Sequence, residues 1–280
     1  MSKLLAGKNA ILYGGGGRIG VGVARVFARE GATVFLTGRT REPLEGLVEQ
    51  IVSEGGAAHS AVVDALDEQA VEEHVHEVLE QVGSLDISFN LISRGDVQGT
   101  PLLDMKLEDF LTPIDAGVRS NFITARASAR AMANQGSGVI LTITSGSGAV
   151  LKPSPQFAMG GTGPADAATE SFMHYLAAEV GPRGVRVVGL WTAGVFYPEL
   201  MGPLSMLNKG PTLEQLADTA AFVASELGSG ITGSVVNVSS GVSAHRLCAA
   251  LGRCVWAAWV ELASPESRWP RQSRILHPST

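Results

Sequence analysis

Two stretches hold residue types suited to chemistry. The first, Tyr13-Gly14-Gly15-Gly16-Gly17-Arg18-Ile19-Gly20, sets glycines between an apolar run and an amphipathic one. Gly14 can turn sharply at positive φ, and glycines place no Cβ between the backbone and a pyrophosphate. A helix beginning near Ile19 would aim free N–H groups and the positive end of its dipole at that anion. This is the physics of a dinucleotide loop, with Gly14, Gly17, Arg18, Ile19 and Gly20 as its contacts; the rival reading is a tight turn with no ligand. Downstream, Thr37-Gly38-Arg39 offers no carboxylate to a ribose 2′-hydroxyl. Arg39, joined by Arg18, could instead grip a 2′-phosphate through its planar fork. NADP(H) is therefore favoured over NAD(H), against the reading of two solvated surface arginines.

The second stretch is "GGTGPADAATESF", residues 160–172, a glycine-rich bend entering a helix. Its bend holds Thr162 and Asp166 but no Tyr, Lys, His or Cys. A phenol with a pKa of ~10 can be tuned towards neutrality by a nearby ammonium, whereas a threonine hydroxyl cannot ionise there. Asp166 would repel a developing oxyanion. Structural roles fit the same residues: Thr162 as N-cap, Pro164 in the first turn and Asp166 on the helix dipole. Ser145 stands at the end of an apolar run, as a reacting or a turn hydroxyl. Lys152 and Tyr197 fall in loops flanking the expected cleft. His74 and His76, two apart on a helix, lie on different faces and read as solvated. His174 and Tyr175 read as packing residues. Cys248 and Cys254 lack partner ligands, so neither a disulfide framework nor a metal site is expected.

These residues need elements to hold them. "NAILY", "ATVFLT", "AHSAVV", "DISFNLI", "SGVILTIT", "VRVVGLW" and "SVVNVS" are short runs rich in apolar and β-branched residues, separated in the first half by helical patterns. That alternation indicates an α/β fold with a parallel sheet covered on both faces. We expect a three-layer, doubly wound sheet in a single domain, with ligand chemistry at the C-terminal strand ends. A second strand is expected at 32–37, and two long helices at roughly 112–134 and 163–180.

The 280 residues carry a net charge of −6, and 45% are hydrophobic. A mildly acidic chain with dispersed cations gives nucleic acid no footprint. No run reaches the roughly 18 apolar residues of a membrane span, and no signal peptide is read, so the cytoplasm is the expected location. Composition shifts after Gly241: the last segment has three of the four tryptophans, both cysteines, five arginines and no lysine. Residues 1–241 are expected to form the domain and 242–280 an atypical extension.

From about Leu5 to Gly241 the chain resembles the short-chain dehydrogenase/reductase family. Gly14 and Gly20 match that family's Thr-Gly-x-x-x-Gly-x-Gly, with Arg18 at the middle glycine. "VVDALDEQAV" resembles the segment whose Asp contacts adenine, a role implied for Asp64. "LDISFNLIS" resembles Leu-Asp-x-Leu-Val-Asn-Asn-Ala-Gly, with Asn90 on the first Asn; "ITGSVVNVSSG" resembles the closing strand. The family's chemistry uses Asn, Ser, Tyr and Lys. The resemblance puts Ser145 on the serine but Gly117 on the Asn, Thr162 on the Tyr and Asp166 on the Lys.

The resemblance implies an NADP(H)-dependent oxidoreductase transferring hydride to or from a carbonyl or an activated C=C of a small apolar substrate. Ser145 would polarise that substrate, and Thr162, Lys152 and Tyr197 are further catalytic candidates. Met201, Leu204, Met206 and Leu207 sit in a Gly- and Pro-broken segment suited to a lid over an apolar substrate, or to covering the core edge. The alternative is a catalytically inactive nucleotide-binding protein, acting as a sensor or assembly partner. Small residues in "ITARASARAMA" and "ATESFMHYLAA" suit close helix packing, and the family implies a homodimer or homotetramer.

Overall fold

Successive side chains of a strand point to opposite faces, so a strand covered on both sides must be apolar throughout. Strand β1 (Asn9–Tyr13) is buried at all five positions. Ala10 and Leu12 enter one hydrophobic cluster with Val23, Phe27, Leu44 and Leu216. Ile11 and Tyr13 enter the other, with Val75, Met132 and Met173. The computed structural model describes residues 3–147 and 158–242.

The elements run β1, α1 (Arg18–Arg29), β2 (Thr33–Gly38), α2 (Arg41–Ser53), β3 (Ala57–Val62), α3 (Glu68–Val82), β4 (Ile87–Asn90), α4 (Leu107–Gln135), β5 (Gly138–Thr144), α5 (Thr162–Val180), β6 (Val185–Thr192), α6 (Pro198–Met201), α7 (Leu213–Ala224) and β7 (Ser234–Val238). One seven-stranded sheet has the order β3-β2-β1-β4-β5-β6-β7, and every pairing is parallel. Helices α1, α2 and α7 cover one face and α3, α4 and α5 the other. This is the expected three-layer, doubly wound sheet in a single domain. The chain reverses direction across the sheet between β1 and β4, which opens a crevice at the C-terminal strand ends.

Several boundaries move. Helix α1 starts at Arg18 and β2 at Thr33, each one residue from expectation. Helix α4 starts five residues before 112 and carries Pro113 inside. Glu108 and Asp109 in its first turn favour that earlier start, because carboxylates stabilise the positive end of a helix dipole. Of the helix histidines, His74 is buried, against expectation, because its face of α3 packs with Val71, Val75 and Val78. His174 and Tyr175 are instead exposed, on the face of α5 turned away from the sheet. Val242 is buried against Met201 and Leu204; the rest of the 242–280 extension, like Lys152, lies outside the described residues.

Candidate active site

The site begins where β1 turns into α1. Gly14 has φ +82°, and a Cβ there would stand 2.7 Å from the Leu91 carbonyl oxygen. A Cβ on Gly20 would collide with the Gly14 carbonyl oxygen. The Gly14 and Gly15 N–H groups donate to the Thr37 carbonyl at 3.0 and 2.9 Å, tying the turn to β2. Gly17 is the N-cap of α1, and no side chain caps it. The amides of a first helical turn have no acceptor within the helix, so this end, at Ile19 and Gly20, has the donors and the bare backbone that a diphosphate needs.

Around it stand the other residues expected to hold a dinucleotide. Arg39 is exposed just past β2. Arg18 reaches towards the loop after β6, with its guanidinium carbon 3.8 Å from the Phe196 ring centre and 5.9 Å from that of Tyr197. Asp64 is exposed after β3, and its carboxylate accepts the Leu66 N–H at 3.0 Å. Asn90 is buried; its amide donates to Thr124 Oγ1 at 3.1 Å and accepts the Ile92 N–H at 3.2 Å. It thereby shapes the turn after β4.

That turn leads to side chains that the sequence reading passed over. Arg94 pairs through Nη1 with Asp166 Oδ1, and its Nη2 lies 3.2 Å from Asp96 Oδ1. Asp166 has no solvent exposure. Its Oδ2 accepts the backbone N–H groups of Ser145 and Gly146 at 2.8 and 2.6 Å. Burial opposes charge on Arg94, but the carboxylates of Asp166 and Asp96 outweigh it and raise the guanidinium above the ordinary arginine value. Asp166 is thus the centre of a buried ion pair one turn inside α5, not a surface carboxylate on the helix dipole.

Thr162 also departs from expectation. Gly161 is the N-cap of α5, without a side-chain bond. The Thr162 hydroxyl instead donates to Asp96 Oδ1 at 2.8 Å and accepts from Gln98 Nε2 at 3.3 Å. A hydroxyl facing a carboxylate and an amide at these distances is drawn away from its own helix end. One polar chain therefore runs Gln98, Thr162, Asp96, Arg94, Asp166 and the amides of Ser145 and Gly146. Deeper along α5, buried Glu170 accepts the Thr144 hydroxyl at 2.7 Å. Opposite charges at 94 and 166 were the legible signal: a carboxylate inside a core demands a cation.

A model of the family described as Enoyl-(Acyl carrier protein) reductase matches residues 17–194, more than half of the chain. The chain belongs to the short-chain dehydrogenase/reductase family. It is 30% identical to the 3-oxoacyl-[acyl-carrier-protein] reductase of Chlamydia muridarum, over 87% of this chain and all of that protein. It is 31% identical to an enoyl-[acyl-carrier-protein] reductase [NADH] of Synechocystis, over 85% of this chain and 96% of that one. A solved short-chain type dehydrogenase/reductase from Mycobacterium marinum superposes with a TM-score of 0.76 at 28% identity, covering 86% and 97% of the two chains. These relatives are oxidoreductases by name.

Within this family member, Ser145, Thr162 and Asp166 come together at the ends of β5 and α5. Tyr197 does not join them in any described contact; it lies beside Arg18 and precedes α6. Met201 and Leu204 are buried with Val242, whereas Met206 and Leu207 are exposed. A cleft of about 640 Å³ lies along α6 and the start of α7, lined among others by Glu199, Lys209, Thr212 and Gln215. It contains none of the expected site residues. No group of metal-binding side chains occurs among the described residues, and no described helix is long and apolar enough to cross a membrane.

Proposed function

We propose that the protein is an NADP(H)-dependent oxidoreductase acting on a carbonyl or an activated C=C of a small apolar substrate. The carrying observation is the β1–α1 turn: Gly14 and Gly20 exclude a Cβ, and the helix behind them opens uncapped. Arg39 stands at the end of β2 with no carboxylate beside it in Thr37-Gly38-Arg39, the arrangement that tolerates a 2′-phosphate. Ile19 and Gly20 would hold the diphosphate, Asp64 the adenine side, and Arg18 with Arg39 the 2′-phosphate. The bound nicotinamide supplies or accepts hydride.

The chain's own residues would orient the substrate. Ser145 would donate to its oxygen, from a backbone anchored on Asp166. Thr162 is engaged by Asp96 and Gln98 and has no route to ionise at neutral pH. The proton would then come from water, Lys152 or Tyr197. Reduction of a conjugated C=C asks less of a phenol beside the oxygen than carbonyl reduction does, so enones lead the substrate panel. The relative named as an enoyl-[acyl-carrier-protein] reductase supports this weighting, and the one named as a 3-oxoacyl-[acyl-carrier-protein] reductase keeps carbonyls on the panel.

The test is calorimetry with NADPH and NADH, followed by NADPH oxidation across enones and carbonyls. We expect NADPH to bind at least tenfold more tightly than NADH, about 1.4 kcal/mol, and enones to be turned over. Tight binding with no oxidation would assign the chain to the non-catalytic nucleotide-binding class. Silence towards both dinucleotides would overturn the reading.

A further inference from the structure

Gly117 and Asp166, two of the departures from the family pattern, meet one side chain. Arg94 leaves the turn after β4, lies against Gly117 in α4 and ends on Asp166 in α5. A Cβ on Gly117 would stand 2.8 Å from Arg94 Cδ. Cδ cannot swing aside freely, because the head beyond it is fixed between Asp166 and Asp96. Arg94 therefore needs residue 117 to be glycine, and Asp166 needs Arg94. The carboxylate in turn fixes two consecutive amides at the end of β5.

We propose that Arg94 is a positioning residue: acting through Asp166, in space left by Gly117, it holds the backbone at Ser145 and Gly146 and so sets where the Ser145 hydroxyl points. This rests on the reading that Ser145 meets the substrate oxygen. The physics is that of a carboxylate with no access to water. Paired with a guanidinium, it stays ionised and accepts both N–H groups strongly. Without the cation it must take up a proton or turn away, and either change weakens its hold on the amides. The arginine fork also reaches Asp96, and through it Thr162, which a lysine could not match in both directions.

The experiment measures amide hydrogen exchange at Ser145 and Gly146 by NMR in the full chain, with the amides of β1 as internal reference. Arg94→Met should speed exchange at both sites by about tenfold or more relative to β1, the scale of a lost bond to a charged acceptor. Arg94→Lys should recover part of that protection. Gly117→Ala should lower the melting temperature by a few degrees in the wild type, because it overpacks Arg94. In an Arg94→Ala background the same change should raise it, because alanine is the better helix former once the space is free. With an active substrate, Arg94→Met should lower kcat while the KM for NADPH holds. Exchange at Ser145 and Gly146 that rises no more than in β1, or a Gly117→Ala effect of equal sign in both backgrounds, would overturn the proposal. NADPH calorimetry on the wild type judges the functional reading separately, since neither exchange nor melting requires the dinucleotide to bind.

Discussion

Asp166 is the residue on which this site turns. It has no exposure and three donors, one of which is its cationic partner. Removing either member of a buried pair costs roughly 3–5 kcal/mol, because the other is left charged and unpaired. Introducing the tyrosine and lysine that the sequence resemblance implies there, by Thr162→Tyr and Asp166→Lys, should therefore fail as a gain of function. The new ammonium would face Arg94, and the Ser145 and Gly146 amides would lose their acceptor. We expect a melting temperature lower by about 5 °C or more and no reductase activity, measured by thermal denaturation and NADPH oxidation. Arg39 carries a second prediction at this scale. Arg39→Ala should weaken NADPH at least tenfold, through loss of a charge-assisted bond of about 1.5–3 kcal/mol. NADH binding should hardly change, and calorimetry reads both.

At the level of elements, the turn after β4 decides more than its length suggests. It delivers Arg94, Asp96 and Gln98 to the start of α5, and Asn90 braces its beginning. Helix α3 shows how burial alters a residue that spacing assigned to solvent. His74 packs on the core side, where desolvation lowers its pKa; Glu77, 3.7 Å from Nδ1, works in the opposite direction and does not prevail. A histidine whose pKa is depressed on folding binds its proton more readily when unfolded. Its effect on stability is therefore absent at neutral and alkaline pH. It appears as a loss when pH falls below the unfolded value of about 6.5, and it stops growing below the folded value. Urea midpoints should fall between pH 7.5 and 5.5 in the wild type, and by less in His74→Leu.

For the whole molecule, the outer faces of α4 and α5 turn large side chains to solvent. Leu111 and Phe122 on α4 and Tyr175 on α5 are exposed, although each is large and apolar. Phe122 stacks at a tilt on Phe172 of α5, 5.8 Å between ring centres, so the two helices present one continuous surface. We expect a homodimer or homotetramer through this surface. Sedimentation equilibrium on the wild type should show it, and Phe122→Glu with Tyr175→Glu should shift the species towards monomer. An unchanged mass in that variant would place the contact elsewhere.

The alternation of apolar runs and helical patterns determined the parallel sheet and its two covered faces, because a strand buried on both sides leaves no other pattern. Gly14 and Gly20 announced the β1–α1 turn, since only glycine meets its contacts. The sequence also showed that positions 162 and 166 lack a phenol and an ammonium. It did not show what fills their place. Arg94 and Asp166 are 72 residues apart, and Gly117 joins them by what it lacks. Nor could spacing tell that Thr162 leaves its own helix end for Asp96 and Gln98, or that His74 is buried. Local pattern reports the period of a segment, whereas an ion pair inside the core depends on which side chains the finished fold brings within a few ångströms. That choice belongs to the tertiary structure, because only burial makes an unpaired charge costly enough to select its partner.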